Sequence, residues 1–145
     1  MIQKITALGE VFNYLFDSKN NELALRKVFQ NVFQALDPGG LLIFDIAEPG
    51  RHKGQRQGFR VADDWACMVD FEYDDVRRRL IRHITSFRKV GELYRRSEET
   101  HELNLYDSGE LVTSLEEIGF QTHKVRNYGD NVFPESLVGI VARKG

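Results

Sequence analysis

The feature that most constrains this chain is an amphipathic helix that passes through a four-residue turn into a strand apolar on both faces. Between Asn21 and Leu36, the residues Leu25, Val28, Phe29, Val32, Phe33 and Leu36 recur at i, i+3, i+4 and i+7, with Lys27, Gln30, Asn31 and Gln34 opposite. One helix face is thereby committed to a core. Asn20 or Asn21 supplies the cap, and Asp37-Pro38-Gly39-Gly40 ends the helix, because proline cannot continue it and glycine accepts positive φ. The run from Leu41 to Glu48 then reads as a strand covered on both sides, with Asp45 and Glu48 at its carboxyl end. Upstream, Lys4 to Gly9 reads as another strand, breaking at Gly9 into the stretch Glu10 to Asn21. Strand, turn, helix and strand in that order predict a parallel α/β sheet. Ligands of such sheets collect at the carboxyl ends of the strands.

After Pro49 the texture changes. Gly50 to Gly58 is glycine-rich and basic, and with Arg51, Lys53, Arg56 and Arg60 it reads as a mobile, solvated loop more readily than as a phosphate site. Trp65, Cys67, Val69, Phe71 and Tyr73 then occupy alternate positions with Asp70, Glu72 and Asp74 between them, predicting a strand with one greasy face. So large an apolar face has to be covered by the rest of the domain or by another chain, which predicts a largely buried Trp65 in the assembled protein. Leu80 to Val90 and Leu93 to Tyr106 read as two further strands joined near Gly91, making an antiparallel meander. Their many charges are expected to face one another across the strands on a solvated surface. Asp107 and Glu110 form a capping-box variant before a stripe of Leu111, Leu115 and Ile118, and Gly119 supplies the stop. Two closing strands around a turn at Pro134 complete a single domain, 1–145. Its parts are 1–49 (strand, helix, strand), 50–106 (loop and meander) and 107–145 (helix and two strands).

Composition excludes several classes. A chain of 145 residues with 41% hydrophobic content builds one ordinary core. A formal net charge of −2 gives no global field toward nucleic acid or an anionic membrane. The single cysteine, Cys67, rules out an internal disulfide framework and fits a reducing cytosol. No apolar run reaches the ~20 residues of a spanning helix, and the opening residues lack a signal peptide's basic and apolar regions, so a cytoplasmic protein is expected. No two histidines stand at metal-ligand spacing, and His101 in His-Glu-Leu lacks the second histidine of a zinc helix; no metal site is expected.

The segments ITALGEVFNYL, VFQALDPGGLLIFDIAEPG, LEEIGFQTHKV and GIVARK, in that order and spacing, resemble the C-terminal part of class I S-adenosylmethionine-dependent methyltransferases, over nearly the whole chain. The resemblance implies a truncated Rossmann-like methyltransferase sheet with the antiparallel meander as an insertion. It places the first strand here as the family's fourth, with Gly9 and Glu10 in the turn after it, beside the donor methyl. By the same likeness Gly9 would touch the cofactor, Glu10, Asn13 and Tyr14 would serve catalysis, and Asp45, Glu48, Trp65 and Tyr128 would complete a substrate wall. The family's glycine-rich loop and the acidic residue that binds the ribose hydroxyls would lie upstream of Met1. Gly39, Gly40, Gly50 and Gly54 sit at the wrong strand ends to replace them, so S-adenosylmethionine is expected to bind this chain weakly or not at all.

Three readings follow: a small-molecule methyltransferase represented by its C-terminal portion and inactive alone, a non-catalytic relic or interaction module, and one chain of a split enzyme with an N-terminal partner. The resemblance also leaves the strand Lys4 to Gly9 at an open sheet edge with only Lys4 as a protective charge. That predicts a homodimer through this edge or through the meander.

Overall fold

The described residues, 1–16 and 19–145 of a computed structural model, form two sheets hinged at one corner. Asp17 and Ser18, within the stretch read as following the first turn, lie outside them. The elements are β1 (Ile2–Ala7), a 3₁₀ turn (Val11–Asn13), α1 (Glu22–Ala35), β2 (Leu36–Ala47), β3 (Gln57–Val61), β4 (Trp65–Asp74), β5 (Arg79–Val90), β6 (Leu93–Asn104), α2 (Ser108–Ile118), β7 (Phe120–Val125), β8 (Asn127–Tyr128), β9 (Asn131–Val132) and β10 (Leu137–Lys144). The first sheet runs β1-β2-β10-β7 and the second β3-β4-β5-β6, while β8 and β9 make a small ribbon. β1 pairs with β2 in parallel through α1, and β10 lies antiparallel between β2 and β7. The predicted α/β sheet with an inserted meander is therefore the observed architecture.

α1 starts as its sequence dictates, the Asn21 side chain accepting a hydrogen bond from the Ala24 amide. Its Leu25 and Phe29 are buried against Leu42, Phe44 and Ile46 of β2, with Leu111 and Leu115 of α2 and Ile140 and Ala142 of β10 in the same core. Val28 stands at the rim and is exposed. Leu36 is not the last helical residue but the first of β2, and Asp37 to Gly40 belong to that strand too. There the pairing jumps from Ile2 opposite Leu36 to Lys4 opposite Leu41, a bulge that Gly39 (φ 79°) accommodates. The coverage of β2 is also uneven. From Gly40 onward its even-numbered residues are buried, whereas Leu41 and Ile43 on the other face are half-buried.

The second sheet departs from expectation in three ways. The glycine-rich segment is not loop throughout: Gln57 to Val61 form β3, paired from Gln57 opposite Asp70 to Val61 opposite Ala66. Its strand character comes from the free edge of β4, since Phe59 and Val61 are exposed and exert no burial signal. The apolar face of β4 is covered only at one end, where Phe71 and Tyr73 pack with Ala47, Leu80, Leu103 and Leu105; Trp65 at the other end is 42% exposed within the chain. Finally, the β5–β6 charges do not match across the ladder. Arg88 faces Arg95, Glu98 faces Thr85 and Glu99 faces Ile84, and among the described residues the ion pair bridging the two strands is Arg79–Glu102 at 3.7 Å.

Asn13 joins the two sheets. Fully buried, it donates through its side-chain nitrogen to the carbonyls of Ala47 (2.9 Å) and Asn104 (2.7 Å) and accepts from the Ala47 amide (3.0 Å). The ends of β2 and β6 are thus tied through one amide. Asn13→Ala removes three hydrogen bonds and leaves the Ala47 amide buried without its acceptor, so a loss of about 3 kcal/mol is expected. Urea unfolding and a melting temperature lowered by roughly 10 °C would register it. A change below about 0.5 kcal/mol, the range of ordinary surface substitutions, would remove Asn13 from this role.

Candidate functional site

The turn after β1 is shaped by a carboxylate. Gly9 (φ 91°) and Glu10 (φ 59°) occupy successive left-handed conformations, which aim their amides at one point, an anion nest. The side chain of Asp45, at the carboxyl end of β2 and almost fully buried, fills it. The Gly9 amide donates to both carboxylate oxygens (3.1 and 2.9 Å) and the Glu10 amide to one. Left-handed geometry costs a non-glycine residue such as Glu10 about 1–2 kcal/mol. Charge-assisted bonds offset that cost.

Glu10 itself is clamped. Its side chain, 10% exposed, receives the Arg51 Nε at 2.9 Å on one carboxylate oxygen and a terminal nitrogen of Arg82, from β5, at 2.9 Å on the other. Burial alone pushes the carboxyl up, but the Arg82 charge, hydrogen bonds from Arg51 and Arg82, and the Arg51 charge bring it below its ordinary value. Such a carboxylate is a weak base. The same Arg82 reaches the Tyr14 hydroxyl at 3.4 Å. His52 lies beside this cluster, stacked on Phe71 with ring centroids 4.3 Å apart and its Nδ1 2.9 Å from Gln55 Oε1. Desolvation, together with the Arg51 and Arg82 charges, outweighs the Gln55 bond and lowers its proton affinity.

Above the nest opens a cleft of about 460 Å³ lined by Leu8, Gly9, Glu10, Asp45, Arg51 and Tyr128, with the segment Asn131 to Pro134 on its outer side. Tyr128 and Phe133 pack edge to face, 4.7 Å between centroids, over Gly139 of β10. A Cβ at Gly139 would fall 2.6 Å from a Val125 methyl and 3.0 Å from the Phe133 ring, so glycine is what lets the ribbon lie on this face. The Tyr128 hydroxyl is buried without a hydrogen-bond partner among the described residues. Burial and the Asp45 charge push its pKa up to about 12, so it stays a neutral donor. An unmade buried bond of this kind costs about 1–3 kcal/mol, which a polar ligand atom would relieve.

Of the residues singled out in the sequence, Gly9, Glu10, Asp45 and Tyr128 meet at this cleft. The others lie elsewhere. Asn13 spends its amide on backbone, and Tyr14 stacks on Phe16 (5.2 Å) beside His101 in a separate groove with Val11 and Leu25. Glu48 accepts from the amide and hydroxyl of Ser108 at the start of α2 (3.1 and 2.7 Å). Trp65 lines a groove of the second sheet with His52, Cys67 and Phe71. Sequence reasoning missed Arg51 and Arg82, assigning them to a solvated loop and a solvated face. The available hint was an acidic residue directly after a turn glycine, which needs counter-charge once buried.

The sheet order, the parallel β1–α1–β2 unit and a cleft at its carboxyl end define the fold of class I S-adenosylmethionine-dependent methyltransferases, in the portion read from the sequence as their C-terminal part. Among curated proteins the chain is similar to "Putative methyltransferase YqeM" of Bacillus subtilis (strain 168), 27% identical over 125 residues, covering 78% of this chain and 45% of that one. Among solved structures it is similar to an S-adenosylmethionine-dependent methyltransferase of Clostridium acetobutylicum ATCC 824 (TM-score 0.77, 23% identity, 99% of this chain and 58% of that one). It is also similar to SAM-bound CalS10, an amino pentose methyltransferase from Micromonospora echinaspora (TM-score 0.76, 15% identity, 99% and 58%). No family model matches the sequence. The chain spans about half the length of these relatives.

The Glu10 clamp makes a pH-dependent contribution to stability. A carboxyl whose folded pKa lies below its reference of 4.5 stabilises the fold fully above that reference, and the contribution disappears as pH falls through the folded value. Glu10→Gln, which leaves two nearly buried guanidinium groups unmatched, should cost roughly 3–5 kcal/mol at pH 7. The gap between wild type and variant should narrow as pH drops below 4.5. Urea titrations at several pH values test both, and a gap independent of pH would refute the clamp.

Proposed function

We propose that the chain is the acceptor side of a methyltransferase that takes its methyl group from S-adenosylmethionine and transfers it to a small polar acceptor. The observation that carries this is the cleft at the carboxyl ends of β1 and β2, with the unpartnered Tyr128 hydroxyl beside Asp45. Its volume suits a small molecule. The amino pentose methyltransferase of similar fold supports a sugar-sized acceptor.

The cleft's residues do not by themselves make a cradle for the methyl donor. The Gly9 and Glu10 amides are taken by Asp45, and both Glu10 oxygens are taken by arginines, so neither backbone nor carboxylate is left free for a ribose or an amino acid group. Gly39 and Gly40 stand at the amino end of β2, away from the cleft. The acceptor is a different matter. The Tyr128 hydroxyl, held neutral, can donate to an acceptor oxygen or accept from its amine, fixing orientation, and alignment is the larger part of what such a transfer requires. With Glu10 a weak base and Asp45 bound to the nest, the cleft suits an acceptor that is nucleophilic without prior deprotonation, a neutral amine.

Two titrations test this reading. S-adenosylmethionine added to the chain in a calorimeter should bind no tighter than millimolar, about 4 kcal/mol. Amino sugars surveyed by saturation-transfer NMR should include binders whose signal falls at least about fivefold in Tyr128→Phe, an order set by one lost hydrogen bond. Micromolar binding of the donor would overturn the assignment of the cleft to the acceptor alone. Failure of every amine to bind would favour the non-catalytic interaction module.

A further inference from the structure

The outer strand of the second sheet carries a charge pattern that is its own complement. β6 is an edge strand, paired on one side with β5. Its other side is partly closed at the carboxyl end, where the Leu15 amide donates to the Glu102 carbonyl (2.8 Å) and Tyr14 bridges Leu103. From Leu93 to Thr100 every residue is exposed. Because the Glu102 backbone faces outward, the two-residue period turns the backbone groups of Thr100, Glu98, Arg96 and Tyr94 outward as well. An open edge of this length is a template for another strand.

We propose that β6 pairs antiparallel with β6 of a second copy of this chain, about a twofold axis at Ser97. In that register Arg95 faces the second copy's Glu99 and Arg96 its Glu98, on both sides of the axis, and Tyr94 faces Thr100. The outward backbone groups of Tyr94, Arg96, Glu98 and Thr100 then come directly opposite one another and form about eight hydrogen bonds. The segment Arg95-Arg96-Ser97-Glu98-Glu99 is complementary to itself in this arrangement alone among its neighbours. Centring on residue 96 or residue 98 sets Arg96 or Glu98 against itself, and a parallel pairing in register sets like against like throughout, which is destabilising. Within one chain these charges have little to do. Arg95 has no ion-pair partner among the described residues and faces Arg88 across the ladder, while Arg96 and Glu98 pair with each other in the open and Glu99 reaches only the half-buried His101. The interface touches none of the residues lining the cleft, so it stands independently of the proposed function.

Light scattering and sedimentation of three proteins test the pairing: wild type, the double variant Arg95→Glu with Arg96→Glu, and the double variant Glu98→Arg with Glu99→Arg. All four side chains are exposed, so both variants should fold, which circular dichroism checks. At about 50 µM in low salt the wild type should be dimeric, and its dissociation constant should rise at least about tenfold in high salt as the ion pairs are screened. Each variant alone carries one sign of charge along the edge and should be monomeric. An equimolar mixture of the two should recover a dimer containing one of each. A monomeric wild type overturns the proposal. So does dimerisation of either variant alone, which would move the interface to β1 or β3, and so does a mixture that stays monomeric, which would exclude this register.

Discussion

The arrangement depends first on the carboxylate of Asp45. It ends β2, the strand that pairs with both β1 and β10, and it draws in the two amides that follow β1. That pull sets the left-handed turn, and the turn decides where Glu10 points. Glu10 in turn reaches Arg51 on the connection into the second sheet and Arg82 within it. One acidic side chain, acting through backbone geometry, thereby orients another that fastens two sheets together. The unfavourable φ of Glu10 and the burial of three charged groups are sustained because each charge is matched within hydrogen-bonding distance, the condition under which buried ions are tolerated.

The same economy of contacts explains why the cleft lies where it does. Asn13 ties β2 to β6 on one side of the β1 turn, and Gly139 lets Tyr128 and Phe133 fold over β10 on the other. Between them the Asp45 nest is roofed but not sealed. Its charge is felt by the Tyr128 phenol, which is kept protonated and lacks a hydrogen-bond partner among the described residues, whereas the Gly9 and Glu10 amides and the Asp45 and Glu10 carboxylates are matched inside the chain. Chemistry at this site therefore turns on hydrogen bonding to a neutral group more than on proton transfer by a carboxylate.

What was legible in the sequence is what short-range physics decides. The Asn21 cap, the buried pair Leu25 and Phe29, the Gly91 hairpin and the Asp107 and Gly119 boundaries of α2 all follow from neighbours within a few residues. Gly9, Glu10 and Asp45 were legible as strand-end residues through the order of elements and the family likeness, and the structure brings them to one cleft. The illegible parts depend on distant partners. Arg82 is 72 residues from Glu10, and nothing in its alternating, charged strand distinguishes it from Arg79 or Arg88, which stay more exposed. β3 exists because β4 offers it an edge. Asn13 looked like a residue near the chemistry, yet a buried amide matches three backbone groups at once better than any other side chain of its size, and the fold uses it there.

The two sheets present edges of different character. β1, on the first sheet, is largely uncharged, with Lys4 as its one ionised side chain, and no partner lies on its outer side among the described residues. Such a strand accepts any extended segment of fitting length, so its choice of neighbour has to come from elsewhere in a fold, through connecting chain or helices packed on the face where Leu41 and Ile43 stand half-buried. β6 instead carries its selectivity in its own side chains, because a misplaced register brings like charges together. An apolar edge is suited to permanent incorporation into a sheet, and a charged, self-complementary one to reversible association. The half of the molecule that holds the cleft therefore lies beside the edge with the least selectivity of its own, and the sheet farther from the nest carries the more selective one.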